Sequence, residues 1–127
     1  GLDLADDSLV DTPRRVAKMW VKELFAGLTP DTFPKCTTVQ NKFSHAGEFV
    51  MVKNIRVKSV CEHHFMSFSD MFGGGGCSIA YIPGDKVLGL SKLNRVVEYF
   101  SRRPQVQERL TTQICEALKL ILETEDV

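Results

Sequence analysis

A cysteine and two histidines lie within four residues, in the sequence Cys61-Glu62-His63-His64. Two residues separate Cys61 from His64, a spacing at which a thiolate and an imidazole can bind one zinc ion. Catalytic zinc needs three protein ligands and an open position, so this pair would supply two of the three. We expect His63 to point away from both ligands and to act as an acid or base near neutral pH. The same spacing also occurs by chance in proteins that bind no metal, so this motif alone leaves zinc binding open.

A second candidate site lies in the sequence GLSKLNR, residues 89–95. Ser91 follows a predicted strand and precedes a predicted helix, which is the position of an N-cap. Backbone N–H groups at a helix start attract anions, and Lys92 and Arg95 add positive charge on one side of that helix. The pattern predicts a phosphate site, although a solvated basic helix face would look the same.

A third candidate site lies in the sequence RRPQVQERLT, residues 102–111. Gln107 and Glu108 begin the last predicted helix, and a carboxylate there could accept paired N–H bonds from the edge of guanine. The helix dipole also favours an acid at this position in the absence of any ligand. The three candidate sites together indicate a nucleotide hydrolase.

The remaining cysteines and histidine carry weaker signals. We expect His45 to lie in a loop, and Cys36 and Cys115 to be packed thiols, since free cysteine behaves as a small hydrophobe. Cys77 follows the flexible run Gly73–Gly76, and its role stays open.

The elements that must position these residues begin with a helix at about 12–27. Thr12 and Pro13 predict its start, Gly27 predicts its end, and apolar residues recur between them at helical spacing. Valine-rich residues 49–60 predict one long strand or two strands broken near Lys53 and Asn54, and shorter strands are predicted at 78–82 and 87–90. Apolar stripes then predict two helices, one ending at Pro104 and one running from Val106 to about residue 121. This order predicts an α+β fold with an antiparallel sheet backed by helices, in a single domain over 1–127.

Composition excludes several classes of protein. Sixteen basic and sixteen acidic residues balance, so global charge gives no indication of nucleic-acid binding. No apolar run approaches the roughly 20 residues that cross a bilayer, and the acidic N-terminus does not resemble a signal peptide. We therefore expect a cytoplasmic protein with no membrane partner.

Several sequence motifs of the chain, taken together, resemble those of one enzyme family. The sequences CEHHF (61–65), AYIP (80–83), GLSKLNR (89–95) and RRPQVQERLT (102–111), in this order, resemble GTP cyclohydrolase I. TPRRVAKMW (12–20) and FPK (33–35) match the bacterial type of the same family, so the resemblance covers nearly the whole chain.

The resemblance implies a role for each matching residue. Cys61 and His64 match two zinc ligands, so the implied cofactor is Zn²⁺, and His63 matches the catalytic histidine, with Ser91 also in the catalytic set. The residues that the resemblance places against GTP are Arg15, Lys18, Glu62, Leu90, Ser91, Lys92, Arg95, Gln107 and Glu108. Within that set, Gln107 and Glu108 read guanine, and Arg15, Ser91, Lys92 and Arg95 contact the triphosphate and ribose.

The implied reaction is hydrolysis and rearrangement of GTP to 7,8-dihydroneopterin triphosphate and formate, the first step of tetrahydrofolate and pterin biosynthesis. The implied architecture is the tunnelling fold, a four-stranded antiparallel sheet whose copies pair into a barrel. Such subunits form a homodecamer of paired pentamers, with active sites at subunit interfaces. Assembly of this kind closes exposed sheet edges.

Two departures from the family limit what we expect of this chain. The family's third zinc ligand lies in a segment that would begin beyond Val127, together with its last strands, so we expect weak zinc binding and poor turnover. The loop between CEHHF and AYIP is also longer than the family's and carries the glycine run and Cys77, which could replace the third ligand. The alternative to an enzyme is a non-catalytic tunnelling-fold protein that binds nucleotide or acts as a scaffold.

Overall fold

The computed structural model describes residues 1–42, 48–69 and 76–127. The predictions for His45 and for Gly73 to Gly75 lie outside the described residues. The helices are α1 (Thr12–Met19), α2 (Leu90–Ser101) and α3 (Gln107–Leu122). The strands are β1 (Thr38–Gln40), β2 (Val50–Ile55), β3 (Lys58–Cys61), β4 (Ser67–Ser69), β5 (Cys77–Tyr81), β6 (Lys86–Leu88) and β7 (Pro104–Gln105).

The strands form small sheets, and the predicted α+β class is confirmed. β1 pairs with β6 and β2 pairs with β5, both antiparallel, whereas the third sheet has the order β4-β3-β7. In that sheet β3 runs antiparallel to β4 and parallel to β7. The described strands therefore do not form the single antiparallel sheet that the sequence predicted.

Helices α2 and α3 bury one apolar face each, as their spacing predicts. Leu93, Val96 and Val97 of α2 are fully buried. The α3 stripe consists of Leu110, Ile114, Leu118 and Leu122, all at most 5% exposed. Strand residues Ile55, Ile79, Tyr81 and Leu88 complete the same core. Burial of each of these large side chains contributes about 1.5–3 kcal/mol, so both helices are held mainly by this core.

The first predicted helix is divided into pieces. α1 ends at Met19, a π-helical turn covers Trp20–Leu24, and short 3₁₀ turns follow at Ala26–Leu28 and Pro30–Thr32. The predicted cap is wrong by one residue, since Asp11 is the N-cap and Thr12 already lies in the helix. None of the residues of α1 is buried, so no core contact imposes one regular helix through Gly27.

Two other local predictions need correction. Ser91 is not the N-cap of α2, because the helix begins at Leu90 and Gly89 has the extended backbone of the cap. The break predicted near Lys53 and Asn54 is an irregularity within β2, where Asn54 has φ 60°. Asparagine tolerates that left-handed conformation, so pairing with β5 resumes at Ile55.

Gly27 was predicted to end a helix, and its structural role is a close backbone crossing. Its N–H donates to the carbonyl oxygen of Arg102 at 2.8 Å. A Cβ at this position would collide with the carbonyl oxygen of Tyr99 and would lie 2.8 Å from that of Arg102. Only glycine lets the N-terminal segment approach the end of α2 this closely.

The described residues contain no helix that combines the length and the apolar composition of a membrane span.

The crossing gives a stability prediction. Gly27→Ala should lower the free energy of unfolding by about 2–3 kcal/mol, because the new methyl group meets backbone atoms that cannot rotate away. Urea denaturation measures the change. The matched control is Gly84→Ala, whose Cβ would meet nothing within 4 Å and should change stability by less than about 0.5 kcal/mol. Equal effects of the two substitutions would contradict the crossing as the cause.

Candidate active site

The turn that carries the candidate metal ligands is closed by two backbone hydrogen bonds. The N–H of Cys61 donates to the carbonyl oxygen of Met66 at 2.8 Å, and the N–H of Phe65 donates to that of Cys61 at 2.9 Å. Cys61 ends β3 and is half-buried, whereas His63 and His64 are exposed. The turn therefore presents both imidazoles to solvent at the end of a strand whose preceding residues are buried.

We expected His63 to point away from Cys61, but its side chain lies beside the thiol of that residue. Its Nδ1 lies 3.5 Å from the Sγ of Cys61. The rings of His63 and His64 are 6.4 Å apart between centroids. The tight turn brings the side chains of Cys61 and His63 to one side, because residues 61–66 reverse direction instead of continuing as a strand.

The donor types at this turn suit zinc, but their number is incomplete. Thiolate and imidazole are the usual ligands of zinc, and a catalytic site needs three protein ligands. Across residues 1–42, 48–69 and 76–127 no group of three or more His, Cys, Asp or Glu side chains could hold a metal ion. Cys61 and His64 therefore fit by donor type as part of a zinc site, and the described residues do not complete one.

A short parallel pairing brings the third candidate site to the same turn. Val60 pairs with Pro104 and Cys61 pairs with Gln105, and the N–H of Glu62 donates to the carbonyl oxygen of Gln105 at 3.0 Å. Helix α3 begins two residues after Gln105. Exposed Gln107 and Glu108 therefore start their helix beside the Cys61–His64 turn.

The side chain of Gln105 holds β7 against the end of α2 and against α3. No pattern in the sequence indicated this role. Gln105 is fully buried, and its Nε2 donates to the carbonyl oxygen of Phe100 at 3.0 Å and to the Oε1 of Gln113 at 2.7 Å. These bonds join the end of α2 to α3 across β7. A buried glutamine within a two-residue strand has no periodic signal in the sequence.

Glu62 is joined to α3 by a bidentate ion pair with Arg109. The Nη1 of Arg109 lies 2.5 Å from Oε2 of Glu62, and Nη2 lies 3.0 Å from Oε1. The hydrogen bond from Arg109 lowers the pKa of the Glu62 carboxyl below its ordinary value. The resemblance placed Glu62 against substrate, whereas here its carboxylate binds Arg109, a partner that spacing in the sequence could not reveal.

The predicted phosphate residues occupy a different part of the chain. Leu90 and Ser91 are exposed in the first turn of α2, but the Nζ of Lys92 donates to the carbonyl oxygen of Lys35 at 2.8 Å. Arg95 lines a cavity of about 330 Å³ whose other lining residues include Gly27, Tyr99 and Arg102. The predicted anion-binding lysine is therefore bonded to the connector after the 3₁₀ turns.

The cations of α1 are also engaged locally. The Nη1 of Arg15 donates to the carbonyl oxygen of Ser8 at 3.2 Å, and its Nη2 lies 3.8 Å from the carboxylate of Asp11. Lys18 is exposed on the same helix. Within the part of the chain that the structure describes, no hydrogen bond or ion pair joins Arg15, Ser91, Lys92 or Arg95 to the Cys61–His64 turn. Strand pairing and an ion pair thus join the first and third candidate sites, whereas no bond among the described residues joins the second site to the first.

Two of the other thiols line a second cavity. Cys77 and Cys115 contribute to a space of about 490 Å³ between β5 and α3, together with Gln107 and Thr111. Burial raises the pKa of the Cys77 thiol. Cys77 belongs to no metal-binding group of three among the described residues, so nothing in their geometry makes it the third zinc ligand.

Comparisons with known proteins agree with these motifs over the full chain. A sequence profile of the GTP cyclohydrolase I family matches residues 1–127. The chain belongs to this family. GTP cyclohydrolase 1 of Aeromonas hydrophila is 55% identical over 127 residues, which is 100% of this chain and 56% of that protein. The Shewanella sp. (strain ANA-3) and Yersinia pestis proteins of the same name are each 54% identical over 126 residues, 99% of this chain and 56% and 54% of theirs. The chain thus spans about half the length of the curated relatives it matches.

The CEHHF turn and the start of α3 both carry motifs by which the chain resembles the GTP cyclohydrolase I family. Arg109, which belongs to neither the predicted ligands nor the predicted guanine readers, is the side chain that links the two motifs. It lies one residue after Glu108 in RRPQVQERLT. Its bond to Glu62 ties the motif that carries the candidate metal ligands to the motif that carries the candidate base readers.

The Glu62–Arg109 link gives a prediction for a double-mutant cycle. Arg109→Gln should lower the urea midpoint of the parent chain, because it leaves the Glu62 carboxylate without its charged partner. The same substitution made in a Glu62→Gln background should have a smaller effect. The control is Arg102→Gln, which removes the separate Arg102–Glu98 pair and should have the same effect in both backgrounds. Equal effects of Arg109→Gln in both backgrounds would show that the pair does not couple the turn to α3.

Proposed function

We propose that this chain acts in the conversion of GTP to 7,8-dihydroneopterin triphosphate and formate, the reaction of a GTP cyclohydrolase I. The observation that carries the proposal is the β3–β7 pairing, which places the Cys61–His64 turn beside Gln107 and Glu108. Its support from comparison is the family match over the whole chain. Hydrolysis of a purine needs an acid or base near the ring and a group that reads the base, and this pairing brings candidates for both together.

In this proposal each group has a physical task. Glu108 accepts N–H bonds from guanine and Gln107 adds a second polar contact, since a carboxylate accepts and an amide both donates and accepts. His63 moves a proton at the purine ring, a task for which imidazole is the commonest side chain in enzymes. Ser91, Lys92 and Arg95 at the start of α2 bind the triphosphate, with Arg15 and Lys18 as further cations and Leu90 against the substrate.

Zinc is the proposed cofactor, held in part by Cys61 and His64. A catalytic zinc ion supplies Lewis acidity at neutral pH. The exposed imidazole of His64 and the half-buried thiol of Cys61 are donors of the right type for it. No group of three such side chains among the described residues could hold a metal ion, so we propose that the remaining ligand lies outside this turn.

The proposed assembly is a homodecamer of paired pentamers with the tunnelling fold. One argument is that, among the described residues, no hydrogen bond or ion pair joins the Ser91–Arg95 segment to the Cys61–His64 turn of the same chain, and a neighbouring copy could bring the two together. Large apolar side chains on β1 and β2 also support it, with Val39 61% exposed and Met51 45% exposed. Subunit association would cover such surfaces. We place the enzyme in the cytoplasm, in tetrahydrofolate and pterin biosynthesis.

A second candidate function is nucleotide binding without turnover, by a scaffold of the same fold. The observation in its favour is that the described residues add no complete ligand set to Cys61 and His64. A binding protein would retain guanine selectivity and would form no product.

Guanine reading can be tested by equilibrium binding. Glu108→Gln should weaken GTP binding by about 10- to 100-fold, the range expected when a charged hydrogen-bond acceptor is lost. ATP binding should be weak in the parent chain and unchanged by the substitution. Calorimetry measures both, and Glu116→Gln on the same helix, at an exposed carboxylate paired with Lys119, is the matched control. Equal affinity of the parent chain for GTP and ATP would contradict the assigned role of Glu108.

Turnover is tested by incubating the chain with GTP and Zn²⁺, oxidising the mixture and measuring neopterin fluorescence. We expect slow product formation that falls by at least about 100-fold in His63→Ala, the loss typical of a general acid or base. Glu116→Gln, whose exposed carboxylate pairs with Lys119 on α3, is the control and should retain the parent rate. GTP binding without product in the parent chain would favour the scaffold, and absence of GTP binding would contradict the proposal altogether.

A further inference from the structure

Phe65 gives the Cys61–His64 turn an unusual backbone. Its φ is 54°, in the left-handed region that non-glycine residues with bulky side chains rarely adopt. The hydrogen bond from its N–H to the carbonyl oxygen of Cys61 closes the turn at this residue. Such a conformation persists only where surrounding contacts hold it. The contacts of the Phe65 side chain therefore bear directly on the shape of the turn.

Two aromatic rings from the N-terminal segment hold the ring of Phe65. Its centroid lies 5.4 Å from that of Trp20, edge to face, and 5.9 Å from that of Phe25. Trp20 and Phe25 are themselves 5.2 Å apart, so the three rings form a closed aromatic cluster. Phe65 is still 52% exposed, so general burial does not hold it in place. These ring contacts are its principal anchor.

The N-terminal side of this aromatic cluster is fixed to the end of α2. Two residues after Phe25, the N–H of Gly27 donates to the carbonyl oxygen of Arg102 at 2.8 Å. The guanidinium of Arg103 donates to the carbonyl oxygen of Gly27 and lies 4.8 Å from the ring centre of Tyr99. The same stretch continues into β7, which pairs with Cys61 through Gln105. The turn is thus held from two directions, by β7 at its start and by the aromatic cluster at its end.

We propose that Phe65, anchored by Trp20 and Phe25, is a positioning residue for the Cys61–His64 turn. The proposal rests on the proposed function for what the turn does, and on the described contacts for what holds it. Phe65 touches neither substrate nor metal in this role. It fixes the direction in which the preceding residues present their thiol and imidazoles. Loss of a ring contact frees the turn to relax from its left-handed residue, and the ligands lose their relative placement.

The first test is amide hydrogen exchange on the metal-free chain. Trp20→Leu should speed exchange at the Phe65 and Cys61 amides by about tenfold, since these bonds close the turn that the ring contact holds. The amide of Leu118, a fully buried residue in the middle of α3, serves as the reference for global opening. Phe25→Leu removes a smaller ring of the same aromatic cluster and gives the same test should Trp20→Leu not fold.

The matched control is Phe33→Leu in a second group of rings. Phe33 lies 4.9 Å from Tyr99 and 6.2 Å from Phe100, so it loses comparable contacts away from the turn. It should leave the exchange of Phe65 and Cys61 unchanged. Unchanged exchange in Trp20→Leu, or an equal rise at Leu118, would overturn the proposal, because the cluster would then stabilise the chain as a whole or not at all.

Zinc affinity separates positioning from stability. With a competing chelator, Trp20→Leu and Phe65→Leu should each weaken Zn²⁺ binding by about tenfold, as losses around a metal site do, and Phe65→Tyr should restore the parent value. Unchanged zinc affinity in both leucine variants would overturn the proposal. A parent chain that binds no zinc would instead contradict the proposed zinc role, and the exchange experiment would still decide whether the aromatic cluster holds the turn.

Discussion

The architecture of the candidate site depends on one short strand pairing. β3 and β7 meet over only two residue pairs, and β7 itself is two residues long. Pro104 has no N–H to donate, which suits a short strand at a sheet edge. The pairing holds because the buried side chain of Gln105 bonds to both Phe100 and Gln113, so the strand is held on its helical side as well. Without it, the Glu62–Arg109 ion pair would have to hold the turn after β3 against the start of α3 by itself.

Residue patterns predict much of the fold. The features they do not predict either are too short to show a period or depend on contacts in three dimensions. α2 and α3 were predicted because their buried faces repeat every three or four residues through long segments. β7 has no such pattern, since two residues cannot show a period. Gly27 was recognised as a special position, but as a helix end, because a crossing with α2 exists only in three dimensions.

The same distinction applies to the candidate site, where local patterns indicated some residues and gave no sign of others. Residue types and spacing predicted roles for Cys61, His63 and His64, and the turn places the imidazole of His63 beside the thiol of Cys61. They did not reveal Arg109, whose importance lies in a bond to a residue far away in the sequence. They also gave no sign of Phe65 as an anchor, since a phenylalanine after two histidines looks like any other apolar residue. Tertiary contacts, which no local pattern encodes, account for each omission.

The bond from Lys92 to the carbonyl oxygen of Lys35 has a consequence for any anion that reaches α2. A lysine whose ammonium group is already bonded to the backbone is partly desolvated and partly immobilised before a ligand arrives. Because an ammonium group carries three N–H donors, the bond to Lys35 leaves two of them for another acceptor. The connector at Lys35 therefore fixes where the charge of Lys92 lies, and part of the rotamer entropy of this long side chain is lost during folding instead of on contact with an anion.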